Sequence, residues 1–353
     1  MSEQQAESGG AEAEQAQHAL RMLDMISGFW VTQILRSTAE LSLADHVADG
    51  ATTAEEIAER EGSAPATTYR LLRAAASLGL FSDAGDRRFR VTPLGSLLRK
   101  GVPGSLRELA MSQGAPLLWQ SSLVLPEAVR KGSTQMHAAP GLGLTEGQNA
   151  FDYFGAHPEE GALFAASMAN ATGLITQDVA GAVGLDGVSL AVDVGGSTGA
   201  LMHTLMQGAP HLRGVVLDLP HVVTDAQRTA EKAGLANRCT AVAGDFFEEV
   251  PAADLYLLKM ILHDWDDAAC LTILRNCRAA ARPGARAVVV EAVVGATGEP
   301  SFAAVLDINM LASTTGQERD LDEFDALYAA SGWRRTRTVP TRTPQVIQEL
   351  EAV

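Results

Sequence analysis

Three aspartates, Asp193, Asp218 and Asp245, lie at or just beyond the ends of three short apolar segments, and this spacing could bind a ligand. Carboxylates at the ends of consecutive parallel strands suit a ligand with ribose hydroxyls, an amino group and a positive charge but no phosphate. S-adenosylmethionine (SAM) carries these groups. Each aspartate alone could equally be a helix N-cap, so the prediction of a SAM site depends on the ordered set.

A glycine-rich turn over residues 195–199, Gly-Gly-Ser-Thr-Gly, follows the first of these segments. Glycine lets the backbone approach a ligand closely, and the N-terminus of the following helix favours an anionic group such as a carboxylate. The turn by itself is a weak signal that several nucleotide-binding folds share. Its spacing does not fit the G-x-G-x-x-G fingerprint of dinucleotide-binding folds, which disfavours NAD.

His263 follows a fourth apolar segment, on the side of the predicted sheet where the ligand would bind. Methyl transfer from a sulfonium to a hydroxyl is an in-line displacement that requires alignment and a nucleophilic oxygen. A phenol with a pKa of about 10 is mostly protonated at neutral pH, so a histidine base would assist. The alternative is a histidine that neighbouring backbone groups satisfy and that has no catalytic role.

The elements that would position these residues alternate along the second half of the chain. Near-continuous apolar strands separated by helices predict a parallel sheet covered on both faces, which is a doubly wound α/β domain. The last two predicted strands form a closing pair. The predicted strands cover residues 190–194, 214–217, 239–243, 254–258, 287–291, 334–339 and 346–350.

The N-terminal part has the order of elements found in a winged helix. Residues 1–17 are polar and aperiodic and predict a disordered tail, whereas apolar residues at helical spacing begin at Leu20. We therefore predict a winged-helix domain over residues 18–105. Its elements would be a long helix from Gln17 onward, a short helix that a capping box at Thr52 or Thr53 opens and that ends at Arg60, a second helix over 66–78 and a wing over 81–91.

Winged helices often bind DNA, but a contact between two copies of the chain is the favoured interpretation here. Tyr69, Leu72 and the apolar helix around Trp30 offer more apolar surface than a small domain can bury. The formal net charge of −16 also opposes binding to nucleic acid. The phosphate contacts of the DNA-binding alternative would be Arg70, Arg73, Arg87 and Arg88.

The remaining residues, 106–353, are assigned to a second domain. Residues 106–175 are predicted as helices rich in Leu, Met and Trp that could line a substrate pocket or serve as packing, and residues 176–353 as the α/β core. No apolar run approaches the roughly 20 residues of a membrane span, and no secretory signal is apparent, so a cytoplasmic protein is expected. The three cysteines lack zinc-binding spacing and are predicted to be buried thiols.

Five strings resemble the SAM-dependent O-methyltransferases of plant phenylpropanoid and bacterial natural-product pathways. The resemblance covers nearly the whole chain, although Ser197 stands where many members have glycine and one residue is missing before Gly316. It implies a Rossmann-like methyltransferase domain, an N-terminal winged-helix dimerisation domain, a homodimer, and SAM as the methyl donor without a metal. The strings are Val192-Asp-Val-Gly-Gly, Asp218-Leu-Pro-His, Gly244-Asp-Phe-Phe-Glu, Leu258-Lys-Met-Ile-Leu-His-Asp-Trp-Asp-Asp and Gly316-Gln-Glu-Arg.

The resemblance also implies roles for individual residues. His263 would accept the hydroxyl proton, and Glu291 and Glu318 would orient its imidazole and stabilise the protonated form. The glutamates could instead be structural, with Glu318 pairing with Arg319 or Arg335. The implied SAM contacts are Gly195, Asp218, Leu219, Asp245, Phe246 and Lys259, and the implied acceptor-pocket residues are Met168, Asp264, Asn309 and Met310, with Trp119 and Phe164 as weaker candidates.

The function that follows is O-methylation of a small aromatic natural-product intermediate, as in antibiotic and other secondary-metabolite pathways. Plain helix packing is an equal interpretation for Met168, Asn309 and Met310, and capping of the next helix is an equal one for Asp264. Two other functions stay open. One is N-methylation or a SAM-assisted reaction without transfer on the same fold, and the other is a ligand-responsive DNA-binding regulator.

Overall fold

A computed structural model describes the backbone of residues 3–353 and the side chains from Glu14 onward, except that of His221. The chain divides into two compact units, Met1–Gly114 and Ala115–Val353. No helix in the described part combines the length and hydropathy needed to cross a membrane. The elements of the first unit are α1 (Glu3–Ile26), α2 (Gly28–Glu40), α3 (Leu43–Ala48), α4 (Ala54–Glu61), α5 (Pro65–Ser77), β1 (Phe81–Asp83), β2 (Phe89–Val91), α6 (Pro93–Ser96) and α7 (Arg107–Gln113).

The winged-helix pattern of the first unit is present as predicted. The hydroxyl of Thr53 accepts a hydrogen bond from the Glu56 amide at 3.2 Å, and Glu56 accepts one from the Thr53 amide at 3.0 Å. This capping box starts α4, and Gly62, with φ of 71°, ends it. Strands β1 and β2 pair antiparallel and form the wing that follows α5.

The N-terminal segment differs from its prediction. The part of the predicted tail that the structure describes, from Glu3, belongs to α1, because Ala, Glu and Gln favour a helix even without an apolar stripe. The predicted long helix is also two helices, since Ser27 separates α1 from α2. The apolar side chains at their junction are exposed, among them Leu20 at 63% and Trp30 at 60%.

Two residues assigned to an exposed apolar surface lie elsewhere. Leu72 is fully buried in the unit's own core, and Tyr69 is half-buried with the Arg87 guanidinium 3.9 Å from its ring centroid. The unit also extends past residue 105, because Gln33 and Arg36 of α2 donate hydrogen bonds to the carbonyl of Gly114 at 3.1 and 2.7 Å. Among the described side chains of this unit, the exposed large apolar ones lie in α1 and α2, apart from Leu94 of α6, and none lies in α5.

The second unit contains a seven-stranded sheet with the order β5-β4-β3-β6-β7-β9-β8. Strands β3 to β7 are parallel to one another, and β9 pairs antiparallel with both β7 and β8. Each predicted strand overlaps an observed one. The strands are β3 (Leu190–Val194), β4 (Arg213–Asp218), β5 (Cys239–Ala243), β6 (Leu255–Lys259), β7 (Arg286–Ala292), β8 (Trp333–Pro340) and β9 (Gln345–Ala352).

Helices cover both faces of this sheet. The helices are α8 (Pro116–Leu123), α9 (Leu125–Lys131), α10 (Ala150–Ala156), α11 (Pro158–Ala182), α12 (Ala200–Gly208), α13 (Pro220–Lys232), α14 (Asp267–Ala280), α15 (Phe302–Ser313) and α16 (Leu321–Ala330). Helices α11, α12 and α13 pack on one face and α14 and α16 on the other. Leu255 and Leu257 of β6 point into the first core, while Tyr256 and Leu258 point into the second, as strand geometry requires. The doubly wound α/β prediction is confirmed.

The cysteine prediction holds as well. Cys239, Cys270 and Cys277 are free and buried. The last two lie on α14 in the second core, beside Ile273 and Leu274, which have no exposed surface.

Candidate active site

The parallel strand order brings the predicted functional residues to one edge of the sheet. Strands β5, β4, β3, β6 and β7 are neighbours in that order, so their carboxyl ends form a continuous row. Asp245, Asp218, Gly195, His263 and Glu291 follow or end these strands in the same order. In open α/β sheets this edge is where ligands bind.

Gly195 begins the glycine-rich turn after β3 and cannot carry a side chain without a rearrangement. Its φ is 66°, and its amide donates to the carbonyl of Leu217 at 2.8 Å. A Cβ atom there would lie 2.6 Å from Cδ1 of Ile261 and 3.5 Å from a ring carbon of Phe246. Ile261 and Phe246 therefore pack against the turn so closely that only glycine fits at this position.

Asp218, the last residue of β4, accepts hydrogen bonds that hold the glycine-rich turn after β3. One carboxylate oxygen accepts a hydrogen bond from the Ser197 amide at 2.7 Å and the other accepts one from the Leu219 amide at 2.7 Å. The helix-capping alternative is wrong for Asp218, because Leu219 occupies the N-cap position of α13. Ser197 itself has φ of 51°, which explains why glycine is the easier residue at this position.

The aromatic residues after β5 and β6 pack together. Asp245 accepts a hydrogen bond from the Phe247 amide at 2.8 Å, which orders the turn that presents Phe246. Phe246 and Phe247 contact Trp265 edge to face at centroid distances of 6.1 and 4.8 Å, and Phe151 of α10 stacks on Trp265 at 5.7 Å. These rings form an apolar wall next to the turn at Gly195.

Asp193 is a buried acid next to the glycine-rich turn, and the charge of Lys259 influences its ionisation. Asp193 is 2% exposed, and its Oδ2 atom has no hydrogen-bond partner among the described residues. Burial raises the pKa of Asp193 to about 7, against the opposing effect of Lys259. Burial lowers the pKa of Lys259, and Asp193, Glu291 and Asp264 oppose that effect. A buried carboxylate with an unused oxygen suits a bound ammonium group.

His263 lies in a short 3₁₀ turn, Leu262–Asp264, that follows β6. Its ring is buried at 5% exposure, and Nδ1 lies 2.7 Å from Oε1 of Glu318 and 3.8 Å from Oε2 of Glu291. Oδ1 of Asp264 lies 3.7 Å from Nε2. The structure therefore brings together the imidazole and both glutamates that the sequence assigned to it.

The charges around His263 favour its protonated form. Burial by itself would lower the pKa of His263, but Asp264, Glu291 and the hydrogen bond with Glu318 raise it to about 10. This value differs from the near-neutral base that the sequence suggested, because three carboxylates share the pocket. The imidazole is thus a strong proton acceptor once it is neutral.

Glu291 lies near the carboxyl end of β7, the last parallel strand of the row, and has no exposed surface. Its Oε1 atom accepts hydrogen bonds from the amides of Ile261 and Leu262 at 2.9 and 2.8 Å, so this side chain fixes the start of the His263 turn. Burial raises the pKa of Glu291 to about 7, with His263 opposing and Glu318 adding to the shift. Glu291 can therefore hold a proton near neutral pH.

The structural alternatives for Glu318 are wrong. The guanidinium of Arg319 binds Asp267 at 2.7 Å, and that of Arg335 binds Asp325. The Glu318 carboxylate, whose side chain is fully buried, faces His263 instead. Adjacency in the chain favours Arg319 as the partner of Glu318, but the fold directs the carboxylate to His263, which is 55 positions away.

Asp264 does not cap the next helix. Asp266 is the N-cap of α14 and accepts a hydrogen bond from the Ala269 amide at 2.8 Å. Burial raises the pKa of Asp264, with His263 and Lys259 opposing. Its carboxylate lies on the Nε2 side of His263, where an acceptor hydroxyl would have to approach.

The predicted acceptor-pocket residues lie on helices around this edge. Met310 is 5% exposed on α15, Asn309 beside it is half-buried, and Met168 is half-buried on α11. Phe164 stacks on Phe154 at 4.5 Å, and Trp119 is half-buried on α8, which packs against α15. Their contact with an acceptor stays a prediction.

Other histidines also have defined places. His203 is buried at 5% exposure on α12, where burial lowers its pKa. His211 is exposed in the loop before β4, and the side chain of His221 lies outside the described residues.

Three positions that support the site were missed from the sequence. A Cβ on Gly316 would lie 2.0 Å from the carbonyl oxygen of His263, and Asp307 of α15 accepts a hydrogen bond from the Glu318 amide at 2.8 Å. Arg319 is fully buried against the His263 turn. Gly316 and Arg319 fall in a string already singled out, whereas no sequence signal marked Asp307.

Comparison with known proteins decides which ligand this edge serves. Residues 123–334 match the family described as an O-methyltransferase domain, and residues 23–101 match the O-methyltransferase dimerisation domain. The phenazine O-methyltransferase PhzM of Lysobacter antibioticus is 37% identical over 333 residues, which are 94% of this chain and 96% of that protein. This chain belongs to the SAM-dependent O-methyltransferases. SAM is the methyl donor, and the first unit is the family's dimerisation domain.

Solved structures agree with this assignment. LaPhzM superposes on this O-methyltransferase with a TM-score of 0.88 at 36% identity, covering 95% of this chain and 99% of its own. NcsB1, an O-methyltransferase from neocarzinostatin biosynthesis in complex with SAM and 2-hydroxy-5-methyl naphthoic acid, has a TM-score of 0.75 at 31% identity, covering 92% and 96%. An N,N-8-amino-8-demethyl-D-riboflavin dimethyltransferase, RosA from Streptomyces davawensis, has a TM-score of 0.77 at 28% identity, covering 95% and 99%.

Proposed function

We propose that this O-methyltransferase methylates a hydroxyl of a small aromatic natural-product intermediate and that His263 accepts the hydroxyl proton. The observation that carries the proposal is the asymmetry of the imidazole. Nδ1 is engaged by Glu318 at 2.7 Å, which leaves Nε2 as the nitrogen available to an acceptor. Similarity to phenazine and naphthoate-binding relatives supports an aromatic acceptor.

The residues at the strand ends fit SAM. Gly195, in a turn with φ of 66° and no side chain, would contact SAM through its backbone, and the unused oxygen of Asp193 suits the ammonium group. Asp218 would accept hydrogen bonds from the ribose, with Leu219 beside it, and Asp245 and Phe246 would contact the adenine. Lys259 would contribute a positive charge for the carboxylate. When bound, SAM supplies an electrophilic methyl carbon on a sulfonium.

The chain's own residues would then move one proton. His263 Nε2 takes the proton from the acceptor hydroxyl as the oxygen attacks the methyl carbon, and the carbon–sulfur bond breaks with its electrons passing to sulfur. The products are a methyl ether and S-adenosylhomocysteine. Only the neutral imidazole can take this proton, and the raised pKa of His263 makes that form a stronger acceptor that becomes more populated as the pH rises.

The surrounding carboxylates would stabilise the imidazolium that forms. Glu318 holds the Nδ1 proton, and Glu291 fixes the turn through two backbone amides. Asp264, on the Nε2 side, would accept a hydrogen bond from a second donor on the acceptor. Met168, Asn309 and Met310 would line the ring pocket, where methionine packs well against aromatic faces.

The test is incubation of the protein with methyl-labelled SAM and a panel of hydroxylated aromatic acids, quinones and phenazine-like rings. We expect mass spectrometry to show one added methyl on oxygen for at least one acceptor. Calorimetry that detects no binding of SAM or S-adenosylhomocysteine would overturn the proposal. The similarity to the N,N-dimethyltransferase RosA makes an amino acceptor the second candidate, which a label on nitrogen would identify.

A further inference from the structure

We propose that Arg319 is a positioning residue whose guanidinium sets the distance between His263 and Glu318 by binding the backbone on both sides of the His263–Asp264 pair. Arg319 touches neither the acceptor nor the reacting atoms in this proposal. It acts through His263, and only the statement that His263 is the base rests on the proposed function.

The first support is the set of carbonyls that Arg319 binds. Its Nη1 atom donates to the carbonyl of Leu262 at 3.0 Å, and its Nη2 atom donates to the carbonyl of Trp265 at 2.9 Å. Leu262 and Trp265 directly flank His263 and Asp264 in the chain. One planar group therefore holds the two ends of the segment that carries the imidazole.

The second support is the position of Arg319 in the sequence. Arg319 directly follows Glu318, so the residue that binds the His263 segment is covalently joined to the residue that binds Nδ1. The Arg319 carbonyl also accepts a hydrogen bond from the Val294 amide at 3.0 Å, next to β7. Glu318 and Arg319 therefore bind the imidazole and its backbone segment from adjacent positions in the chain.

The third support is that the site is built for arginine. Arg319 has no exposed surface, and Nε and Nη2 also bind Oδ1 of Asp267 at 3.0 and 2.7 Å, which compensates the buried charge. The five donors of a guanidinium lie in one rigid plane and can serve several acceptors at once. A lysine ammonium at this position keeps the charge but cannot span the Leu262 and Trp265 carbonyls.

The neighbouring contacts leave little freedom for the segment. Gly316 packs directly on the His263 carbonyl, and Asp307 holds the Glu318 amide at 2.8 Å. A Cβ on Gly316 would also lie 2.3 Å from the Trp265 amide nitrogen, so this packing extends along the whole turn. The Cys270 thiol lies 3.1 and 3.5 Å from the Leu262 and Trp265 carbonyls, and Arg319 adds the charged donors that bind the same two carbonyls.

The experiment is a pH titration of the His263 ring by NMR in the full-length protein, comparing the native chain with Arg319→Lys. The His263 signal is assigned by its loss in His263→Ala. We expect the native imidazole to titrate well above pH 6.5 and the Arg319→Lys imidazole to titrate at least one pH unit lower, because the contact with Glu318 loosens. Arg335→Lys is the matched control, since Arg335 pairs with Asp325 away from the site, and its His263 titration should equal the native one.

This titration needs no acceptor, so it reports on Arg319 even if the protein methylates none of the compounds offered. Where turnover is measurable, Arg319→Lys should lower kcat about 100-fold with little change in KM for SAM, the effect of a small misplacement of a reacting group. Combining Arg319→Lys with Glu318→Gln should add little to the loss from either change. If Arg319→Lys does not fold, Arg319→Gln, which can still donate to one carbonyl, is used in its place. An unshifted His263 titration in the folded variant, or losses that multiply in the double variant, would overturn the proposal.

Discussion

The Nδ1 atom of His263 lies 2.7 Å from Oε1 of Glu318, although the two residues are 55 positions apart in the chain. This contact decides which imidazole nitrogen can meet an acceptor, and it places a buried carboxylate where positive charge develops during proton transfer. Glu291 lies on the same side of the ring at 3.8 Å. The site therefore stabilises the protonated imidazole before any ligand is considered.

Replacement of His263 should separate binding from chemistry. In His263→Ala we expect SAM to bind with nearly native affinity, because the turn at Gly195 and the Asp218 contacts are untouched, while kcat falls about 100- to 10,000-fold with the loss of the base. Calorimetry with SAM and steady-state turnover measure the two quantities. His211→Ala, at an exposed loop histidine, is the control. Native turnover in His263→Ala would remove the proposed base.

The pH dependence of turnover should move when Glu318 is neutralised. Since carboxylates raise the pKa of His263 to about 10, the fraction of neutral imidazole grows as pH rises from 7 to 10, and kcat should rise with it. In Glu318→Gln one source of that shift is gone, so the inflection should move to lower pH, with a lower plateau because the imidazolium is less stabilised. Measurement of kcat for both proteins from pH 7 to 10 tests the direction of this shift. The same inflection in both proteins would contradict the assignment.

A methyl group at Gly195 should weaken SAM binding. The Cβ of Gly195→Ala would lie 2.6 Å from Ile261 Cδ1, and the φ of 66° disfavours any L side chain. We expect the Kd for SAM to rise at least tenfold, or by about 1.4 kcal/mol. Gly181→Ala on α11 is the control, because the added Cβ meets no atom within 4 Å. The affinity of this variant for SAM should equal that of the native protein. Equal affinities of the two variants for SAM would show that the turn at Gly195 does not contact SAM.

Asp254 should contribute stability that depends on pH. It accepts hydrogen bonds from the hydroxyl of Ser189 at 2.6 Å, from the amides of Ser189 and Leu190, both at 2.9 Å, and from Arg282. Burial alone would raise the pKa of Asp254, but these hydrogen bonds lower it to about 2. Because the folded-state pKa lies below the unfolded value, the carboxylate stabilises the fold above pH 4 and loses this effect between pH 4 and 2.

We therefore expect Asp254→Asn to lower the free energy of unfolding by about 2 kcal/mol at pH 7. The difference from the native protein should shrink as the pH falls through this range. Denaturant melts at several pH values measure it. A difference that stays constant down to pH 2 would show that the carboxylate's charge is not the cause.

Chelators should leave turnover unchanged. The donor atoms of His263, Glu291 and Glu318 lie within 4.8 Å of one another, a spacing that could also hold a metal ion. However, the Oε1 atoms of both glutamates already accept hydrogen bonds, from two backbone amides and from His263, which favours a proton-holding role. Dialysis against EDTA followed by activity measurement with and without added Mg²⁺ or Zn²⁺ tests this. Loss of activity that a metal restores would reassign the cluster.

Much of the local structure could be read from the residues themselves. The apolar segments predicted the seven strands, because a strand buried on both faces must be apolar. The capping-box pattern at Thr52 and Thr53 predicted the start of α4, and the structure shows that Thr53 is the N-cap. The helix at Glu3 was missed because its stabilising residues are good helix formers without an apolar period. Periodicity detects burial, and α1 is exposed from residue 14 onward.

The candidate residues were likewise found from the sequence, since glycine, acidic residues and histidine at strand ends have few structural substitutes. Their pairing was decided only by tertiary structure. Glu318 is the acid that contacts Nδ1 of His263, and Arg319 binds Asp267 and not Glu318. Both pairings depend on how the turn after β6 meets the turn before α16. The structure also shows that Asp266, and not Asp264, caps α14. The chain determines which groups are present, but the proton affinity of His263 arises from three carboxylates that only folding brings around one imidazole.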